Sequence, residues 1–209
     1  MSDKECGHHE EEKKKKLLHH ILAGVAAFTL LILLTILLVY LILRPTKPRF
    51  ILRDITVYAF NVSSPTLLTS NLQTTLLTRN PNRHIGIYYD KLDVYATYRS
   101  QQISLPTLLP KTYLGHKDVV TWSPFLYGNA VPLAPLLSQS LAQDQMVGTV
   151  MVNVRVEGRV RWRVGNFDTG KYHLSVNCPA YINFGRSNTM IMVGPSIKYQ
   201  LVLPCHVDV

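Results

Sequence analysis

Residues 150–164, VMVNVRVEGRVRWRV, alternate between apolar and polar side chains along almost their whole length. The apolar side chains occupy the even positions, which are Val150, Val152, Val154, Val156, Val160, Trp162 and Val164. A two-residue period is typical of a β-strand that buries one face and exposes the other. Glu157-Gly158 interrupts the pattern and predicts a bulge or a turn, so the stretch forms either one strand or a strand pair.

Shorter alternations of the same kind occur on both sides of this stretch. They cover residues 55–59, 68–76, 92–98, 172–178 and 197–205. Residues 100–146 differ, because prolines are frequent there and alternation is weak. Four leucines at helical spacing predict one short helix in this region: Leu133, Leu136, Leu137 and Leu141. The pattern as a whole predicts an all-β fold, an antiparallel β-sandwich with the short helix packed against it.

Residues 21–43, ILAGVAAFTLLILLTILLVYLIL, contain no charged side chain. About 20 apolar residues suffice for a helix to cross the hydrocarbon core of a bilayer, and a core helix of a soluble protein is rarely as long. A cleaved signal peptide is the other alternative. Its apolar region has only about 7–15 residues and ends at small residues, which LILRP does not offer. The run therefore predicts an uncleaved signal anchor, a single N-terminal transmembrane helix.

Lysine and arginine counts on the two sides of this helix are nearly equal, so they decide its orientation only weakly. The dense lysine block at residues 13–16 favours a cytosolic N-terminus. We expect a disordered cytosolic tail at residues 1–20, the transmembrane helix at 21–43, a proline-containing linker at 44–49 and an extracellular domain at 50–209. Nucleic acid, the usual partner of a basic domain, is disfavoured by this outward placement.

Four arginines alternate with the apolar residues of the first stretch and therefore belong to its outward face: Arg155, Arg159, Arg161 and Arg163. Glu157 is the acidic residue close to them in sequence, so they would repel one another unless an anion offsets their charge. We treat them as a candidate anion-binding ridge for wall polysaccharide or lipid headgroups. The alternative is an ordinary solvated strand face.

The sequence offers no pattern typical of an enzyme or a metal site. It contains no GxSxG, P-loop, GxGxxG, HExxH or paired CxxC motif, and its histidines lack metal-ligand spacing. We therefore expect no catalytic residues, no cofactor and no bound metal.

Cys178 and Cys205 each occupy the inward parity of a predicted strand. An extracellular domain would allow a disulfide between them, which could contribute roughly 3 kcal/mol. Two buried free thiols are the alternative. Asn61-Val62-Ser63 is an N-glycosylation sequon, and extracellular placement would allow its modification.

Asn80-Pro81-Asn82 comes directly before the strand-like sequence IGIYYD. Proline fixes one dihedral angle of a turn, and asparagine side chains mimic a backbone turn. Gly86 predicts a bulge or a close backbone approach. The main interpretation is a turn that sets strand register. The alternative is recognition by an exposed loop and by whichever of the next two tyrosines faces outward.

NPNRHIGIYYD at residues 80–90 resembles the plant NHL family, the harpin-induced-like proteins with a type-2 late-embryogenesis-abundant domain. GHK at 115–117, RDITVYAFNV, GRVRWRVG and VNC near the end support the resemblance, while Leu114 departs from the family pattern of glutamine at that place. The most specific motif residues are Asn80, Pro81, Asn82, Gly86, Ile87, Tyr88 and Tyr89.

The resemblance implies an immunoglobulin-like or fibronectin-III-like form of the sandwich, carried on one anchor at the plant plasma membrane, with roles in pathogen defence and the hypersensitive response. We therefore expect a non-enzymatic plasma-membrane protein that binds a protein partner, an anionic wall polysaccharide or lipid through its extracellular domain. The alternative is a stress protectant or lipid-binding module at membrane surfaces, which the late-embryogenesis resemblance also allows.

Overall fold

The computed structural model describes residues 4–42, 45–63, 66–184 and 197–209, with side chains described from residue 16 onward within the first range and as far as residue 38. The chain divides into two compact units, with the boundary between Arg44 and Pro45.

The first unit is a single helix, α1, Lys4–Ile42. Its segment Lys16–Leu38 has a mean hydropathy of 2.8 and no buried residues, and is long and apolar enough to cross a membrane. Leu43, the predicted end of the span, lies outside the described residues. The helix includes residues 4–20, where the sequence predicts a disordered tail. Glutamate and lysine are strong helix formers, and three glutamates precede lysines by four residues here, a spacing that supports a helix.

The second unit is built from thirteen described strands and one helix. The strands are β1 Arg49–Ser63, β2 Leu67–Arg79, β3 Ile85–Tyr98, β4 Gln101–Gln102, β5 Thr107–Leu109, β6 Thr112–Leu114, β7 Val119–Trp122, β8 Phe125–Pro132, β9 Thr149–Val164, β10 Phe167–Asp168, β11 Tyr172–Asn183, β12 Ile197–Pro204 and β13 His206–Asp208. The helix is α2, Pro135–Val147.

All strand pairs are antiparallel within the described residues, and they form two sheets. The smaller sheet has the order β12-β1-β2-β7, with β8 also paired to β2. The larger sheet has the order β13-β11-β9-β3-β4, with β10 on β9 and both β5 and β6 on β3. The predicted antiparallel β-sandwich is thereby confirmed.

The alternating stretch that begins the sequence analysis forms one continuous strand, β9, at the centre of the larger sheet. Its even apolar residues are buried from Val150 to Trp162, as the alternation predicts, and Val164 at its end is half-buried. Gly158 does not turn the chain. It lies opposite Leu92, beside a register shift between Tyr89 and Lys91 on β3, and a Cβ at this position would overlap the Lys91 carbonyl oxygen. Glycine is therefore needed where the bulged β3 backbone comes close.

The core lies between the inward faces of the two sheets. Phe50 from β1, Tyr89 from β3 and Trp122 from β7 pack together, with ring centroids 5.5 to 6.4 Å apart. The register of β1 shifts between Val57 and Ala59, so Phe60 is buried, whereas Ala59, which shares the parity of Ile55 and Val57 in the sequence, is half-buried.

Helix α2 confirms the predicted short helix. It starts at Pro135 and is capped after Val147 by Gly148, which adopts φ of 91° and donates its N–H to the Asp144 carbonyl. The side chain of Asp144 accepts a 2.6 Å hydrogen bond from the Tyr98 hydroxyl, which joins α2 to β3. The rest of residues 100–146 contains five short strands where the sequence predicts loops.

Candidate functional site

The outward side chains of β9, Arg155, Arg159, Arg161 and Arg163, lie together on the outer side of the larger sheet. We call this group the arginine face. The strand alternation places them there, because Val154, Val156, Val160 and Trp162 between them are buried.

Arg161 is held by two aspartates from neighbouring strands. Its Nε and Nη2 donate 2.8 Å hydrogen bonds to the two carboxylate oxygens of Asp90 on β3. Its Nη1 donates to Asp168 on β10 at 3.3 Å. The two-pronged contact is the strongest geometry for this pair of groups, and the hydrogen bond from Arg161 lowers the pKa of Asp90 below its ordinary value.

Arg163 and two tyrosines complete this part of the face. Arg163 donates a hydrogen bond to the Tyr88 hydroxyl and pairs with Asp168 at 3.3 Å. The guanidinium groups of Arg161 and Arg163 lie 5.4 and 5.3 Å from the centre of the Tyr88 ring, within range of a cation–π interaction. The other partner of that ring is Tyr113, at 4.5 Å between centroids.

Gly86 makes room for this stack. A Cβ there would come within 2.5 Å of the Tyr113 hydroxyl oxygen. The sequence predicts a bulge or a close backbone approach at this glycine, whereas the close approach is made by a tyrosine side chain. Tyr88 is the outward member of the tyrosine pair and Tyr89 is buried. Burial raises the pKa of the Tyr89 hydroxyl, which hydrogen-bonds to Thr78 at 3.1 Å.

These contacts correct one premise of the sequence analysis. Glu157 is not the sole acid beside the arginines, because folding brings Asp90 and Asp168 to Arg161 and Arg163. Arg159 differs from them, since it is exposed and has no ion pair among the residues that the structure describes. Its ladder neighbours are Lys91 on β3 and His173 on β11, so it is the cation of this face left free for an external anion. Arg155 approaches Glu157 at 4.0 Å.

Asn80 is a buried connector between loops. Its Nδ2 donates to the carbonyl oxygens of Ile85 at 2.7 Å and Gly115 at 2.8 Å. Its Oδ1 accepts from the backbone N–H of Asn82 at 3.0 Å and from the Asn82 Nδ2 at 2.9 Å. All the hydrogen-bonding capacity of this amide is therefore used within the fold.

Asn82 extends the network to the start of the domain. Its Oδ1 accepts the Thr46 N–H at 2.8 Å and its Nδ2 donates to the Thr46 carbonyl at 2.9 Å. Its own carbonyl accepts from the Lys117 N–H at 3.2 Å. The motif thus joins three segments: the linker before β1, the β2–β3 connection and the β6–β7 loop. These contacts favour the structural interpretation of Asn80 and Asn82 over direct recognition, while Pro81 between them is half-buried.

Comparisons with known proteins match this sequence to a family with members in Arabidopsis thaliana. The late embryogenesis abundant protein family model, LEA_2, matches residues 75–178. NDR1/HIN1-like protein 1 of Arabidopsis thaliana is 61% identical over 83% of this chain and 85% of its own length. NDR1/HIN1-like protein 12 of the same plant is 51% identical over 100% of both chains. The chain belongs to the NDR1/HIN1-like family.

The LEA_2 match starts near the end of β2 and ends at Cys178, so it includes Asn80, Asn82 and the arginine face of this NDR1/HIN1-like protein, and Thr46 lies before it. The relatives support the coarse expectation of a plant defence or stress protein, and the resemblance stated from the sequence is confirmed. Among solved structures, a protein from Archaeoglobus fulgidus covers 63% of this chain and 96% of its own, with 9% identity and a TM-score of 0.31, too low for the folds to be compared.

The two cysteines lie at the place where the chain passes from one sheet to the other. Cys205 is the residue between β12 in the smaller sheet and β13 in the larger sheet, and its N–H donates to the Phe50 carbonyl at 2.9 Å. The structure pairs its sulfur with that of Cys178 on β11. A bridge at this place would hold both sheets to the C-terminal strands.

Asn61 of the sequon lies within the paired strand β1, opposite Thr69. The side chain is half-buried, and its Oδ1 has no hydrogen-bond partner among the described residues. Modification of Asn61 stays a prediction.

Sequence reasoning missed Asp90, Asp168 and Tyr113 as members of the arginine face. No local signal joins Asp90 to Arg161, which are 71 residues apart. Tyr113 carries a weak signal, because it alternates with the buried Leu114 in a segment too short for a strand prediction.

Proposed function

We propose that this NDR1/HIN1-like protein is a single-pass plasma-membrane protein of plant defence that acts by binding through an extracellular β-sandwich, without catalysis. In this proposal, α1 anchors the chain with its N-terminus in the cytosol. The observation that carries the extracellular placement is the Cys178–Cys205 pairing, because structural disulfides persist in oxidising compartments and are rare in the cytosol.

We assign binding of an anionic partner, such as an acidic protein surface, to the arginine face. Asp90, Asp168 and Tyr88 fix the guanidinium groups of Arg161 and Arg163, which limits the side-chain entropy lost on binding. Arg159 beside them is exposed and has no ion pair among the described residues, whereas its neighbour Lys91 pairs with Asp93 at 3.5 Å, so Arg159 carries the charge that an external anion would neutralise.

Topology is tested with intact plant cells that express the full-length protein with one tag before Met1 and another after Val209. Protease added outside should remove the C-terminal tag and leave the N-terminal tag intact. A glycosidase that removes N-linked glycans should change the mobility of the parent and not that of Asn61→Gln. External cleavage of the N-terminal tag would overturn the orientation and, with it, the reason for an oxidising environment.

Binding at the arginine face is tested with Arg159→Gln, because this side chain has no ion pair within the described part of the chain that the substitution would remove. Cross-linking in intact cells should recover fewer partner proteins with this variant, and the loss should grow as salt is lowered, since exposed charges are screened over about 8 Å at physiological ionic strength. Arg83→Gln is the matched control, since Arg83 is an exposed arginine in the β2–β3 connection. Equal losses in both variants would show a general effect of net charge and overturn the assignment.

The LEA_2 match favours a second candidate function, a stress protectant or lipid-binding module at membrane surfaces. Anionic lipid vesicles mixed with the purified protein discriminate the two functions. Saturable vesicle binding without recovery of a protein partner supports the second function, and the reverse result supports the first.

A further inference from the structure

The outer face of the smaller sheet carries a cavity, and no residue of the arginine face lines it. Its volume is about 470 Å³, within the range of small-ligand sites. The lining residues are Arg53, Asp54, Thr75, Lys198, Gln200 and Val202, which belong to β1, β2 and β12.

A β-bulge shapes this cavity. Leu52 and Asp54 pair with the consecutive residues Leu76 and Thr75 of β2, so Arg53 is an extra residue of β1 against that strand. Against β12 the same two residues pair with Leu203 and Gln200, so the extra residue there belongs to β12. A bulge bends its strand and redirects the side chain. Arg53 is exposed as a result, and it has no ion pair among the described residues.

The charge of the cavity is positive. Asp54 is its acid, and the structure already uses both carboxylate oxygens: Oδ1 accepts from the Thr75 hydroxyl at 2.6 Å and Oδ2 pairs with Lys198 at 3.4 Å. Arg53 therefore contributes a positive charge that nothing in the cavity offsets.

Three exposed aromatic side chains lie beside the cavity on the same face. Tyr58, Phe125 and Tyr127 are 44%, 40% and 54% exposed. The Tyr58 and Phe125 ring centroids are 5.8 Å apart, and so are those of Phe125 and Tyr127, whose planes differ by 12°. Most aromatic side chains of this size are buried, so three in contact on an open sheet face indicate a binding surface.

Polar side chains connect the two parts. Lys198 lies opposite Thr56, Thr56 opposite Gln73, and Gln73 opposite Phe125, so one row crosses four neighbouring strands. At about 4.8 Å per strand this row covers roughly 14 Å. Gln73 also accepts a 2.9 Å hydrogen bond from the Tyr58 hydroxyl, and thereby orients that ring.

We infer that this face binds a polysaccharide that contains uronic acid, with a carboxylate at Arg53 and neighbouring sugar rings on Tyr58, Phe125 and Tyr127. The C–H groups of a pyranose ring are weakly positive and suit the negative faces of aromatic rings. The planar guanidinium of Arg53 suits a carboxylate. The hydroxyl groups of the sugar can hydrogen-bond to the Thr56 hydroxyl and the Gln73 amide in the row that crosses the sheet. The inference rests on the proposed extracellular placement and names a ligand class for a face other than the arginine face.

The test uses the full-length protein in detergent micelles and three probes: an oligomer of galacturonic acid, the same oligomer with its carboxyl groups methyl-esterified, and a neutral glucose oligomer. We expect saturable binding of the acidic oligomer by calorimetry and at least about tenfold weaker binding of the other two, because each lacks the charge that a guanidinium recognises.

Two variants address the two parts of the face. Arg53→Gln and Tyr127→Thr should each weaken binding of the acidic oligomer about tenfold. Tyr172→Thr is the matched control for the second, since Tyr172 is a similarly exposed tyrosine on β11 of the larger sheet. Arg159→Gln is the control for the arginine face and should not change the affinity.

Equal affinity for the acidic and esterified oligomers would overturn the inference, as would equal weakening by Tyr127→Thr and Tyr172→Thr. Loss of binding in Arg159→Gln alone would overturn it as well and would move the polysaccharide to the arginine face. Absence of sugar binding together with partner recovery that depends on Arg159 would overturn the inference and leave the proposed function intact.

Discussion

Asn80→Ala should destabilise the β-sandwich more than any substitution of an exposed asparagine. The Asn80 side chain is fully buried and makes four hydrogen bonds of 2.7 to 3.0 Å, to Ile85, Gly115 and Asn82. Alanine removes all four and leaves two carbonyl oxygens and the Asn82 amide groups without these partners inside the fold.

The size of the loss follows from the number of these bonds. One hydrogen bond contributes about 1 kcal/mol net, and a buried group left without a partner costs about 1–3 kcal/mol. Relaxation and entry of water recover part of this cost, so we expect a loss of about 3 kcal/mol in the free energy of unfolding. For a domain of this size, about 3 kcal/mol corresponds to a fall in Tm of about 6–12 °C.

Asn80→Asp separates hydrogen-bond donation from shape. Aspartate has nearly the same size as asparagine, but its carboxylate cannot donate to the Ile85 and Gly115 carbonyl oxygens and would be charged in a buried place. We expect it to be at least as destabilising as Asn80→Ala at pH 7, and less so at acid pH, where protonation restores one donor.

The assay is thermal unfolding of the full-length protein in detergent micelles, followed by tryptophan fluorescence. Both tryptophans, Trp122 and Trp162, lie in the core of the sandwich. Asn129→Ala is the control, since Asn129 is exposed on β8 and should change stability by less than about 0.5 kcal/mol. A Tm for Asn80→Ala within 2 °C of that control would refute the reasoning, because the buried network would then contribute nothing to stability.

Three further substitutions test other parts of the fold. Cys178→Ser should lower the free energy of unfolding by about 2–5 kcal/mol under oxidising conditions, and reductant should lower the Tm of the parent to that of the variant. Mass spectrometry that finds both thiols free in the parent would exclude the bridge. Gly158→Ala should cost about 3 kcal/mol because its Cβ would meet the Lys91 backbone, whereas Gly170→Ala has open space and should unfold like the parent by the same fluorescence assay. Asp90→Asn should be less stable than the parent at neutral pH, and this difference in stability should become smaller as the pH falls below about 4. The folded-state pKa of Asp90 is lowered, so its contribution to stability is present above the unfolded-state pKa of about 3.9 and is lost in acid. A stability difference that stays constant across a pH series of thermal melts would contradict this.

Local periodicity was sufficient to predict the fold class. Val154 and Trp162 are buried because β9 keeps a two-residue period across Gly158, and the leucines before and within α2 follow the helical period. Leu136 is the exception, since it is exposed although its spacing predicts burial. Periodicity reports which residues share a side of an element, and the width of the buried side depends on what packs there.

Bulges and short strands could not be predicted in the same way. The shift beside Tyr58 in β1 exchanges the inward roles of Ala59 and Phe60, and nothing local marks it, because both are apolar. Strands β5 and β6 have three residues each, too few for an alternation to stand out between prolines. Their existence depends on the edge that β3 offers them.

The asparagine motif shows the same division between local and distant contacts. The hydrogen bond from the Asn82 N–H to the Asn80 Oδ1 spans two residues and is the turn geometry that asparagine is known to favour. The bonds to Thr46 and Gly115 span 36 and 35 residues. A sequence pattern can indicate the first kind of contact, and only the folded chain can indicate the second.

The distribution of charge decides where a basic domain can bind an anion. In the chain order, Arg161 and Arg163 look like the strongest positive charge, yet Asp90 and Asp168 neutralise much of it once the strands pair. Arg159 and Arg53 remain without acidic partners among the described residues, the first on a regular strand and the second on a bulge. An external carboxylate binds most favourably to a cation that has no acidic partner within the fold, because it then replaces only water and does not displace an internal carboxylate. On these two faces the unpaired cation therefore indicates the candidate site better than the net charge of +9 does, because that net charge also includes exposed cations elsewhere, such as Arg83.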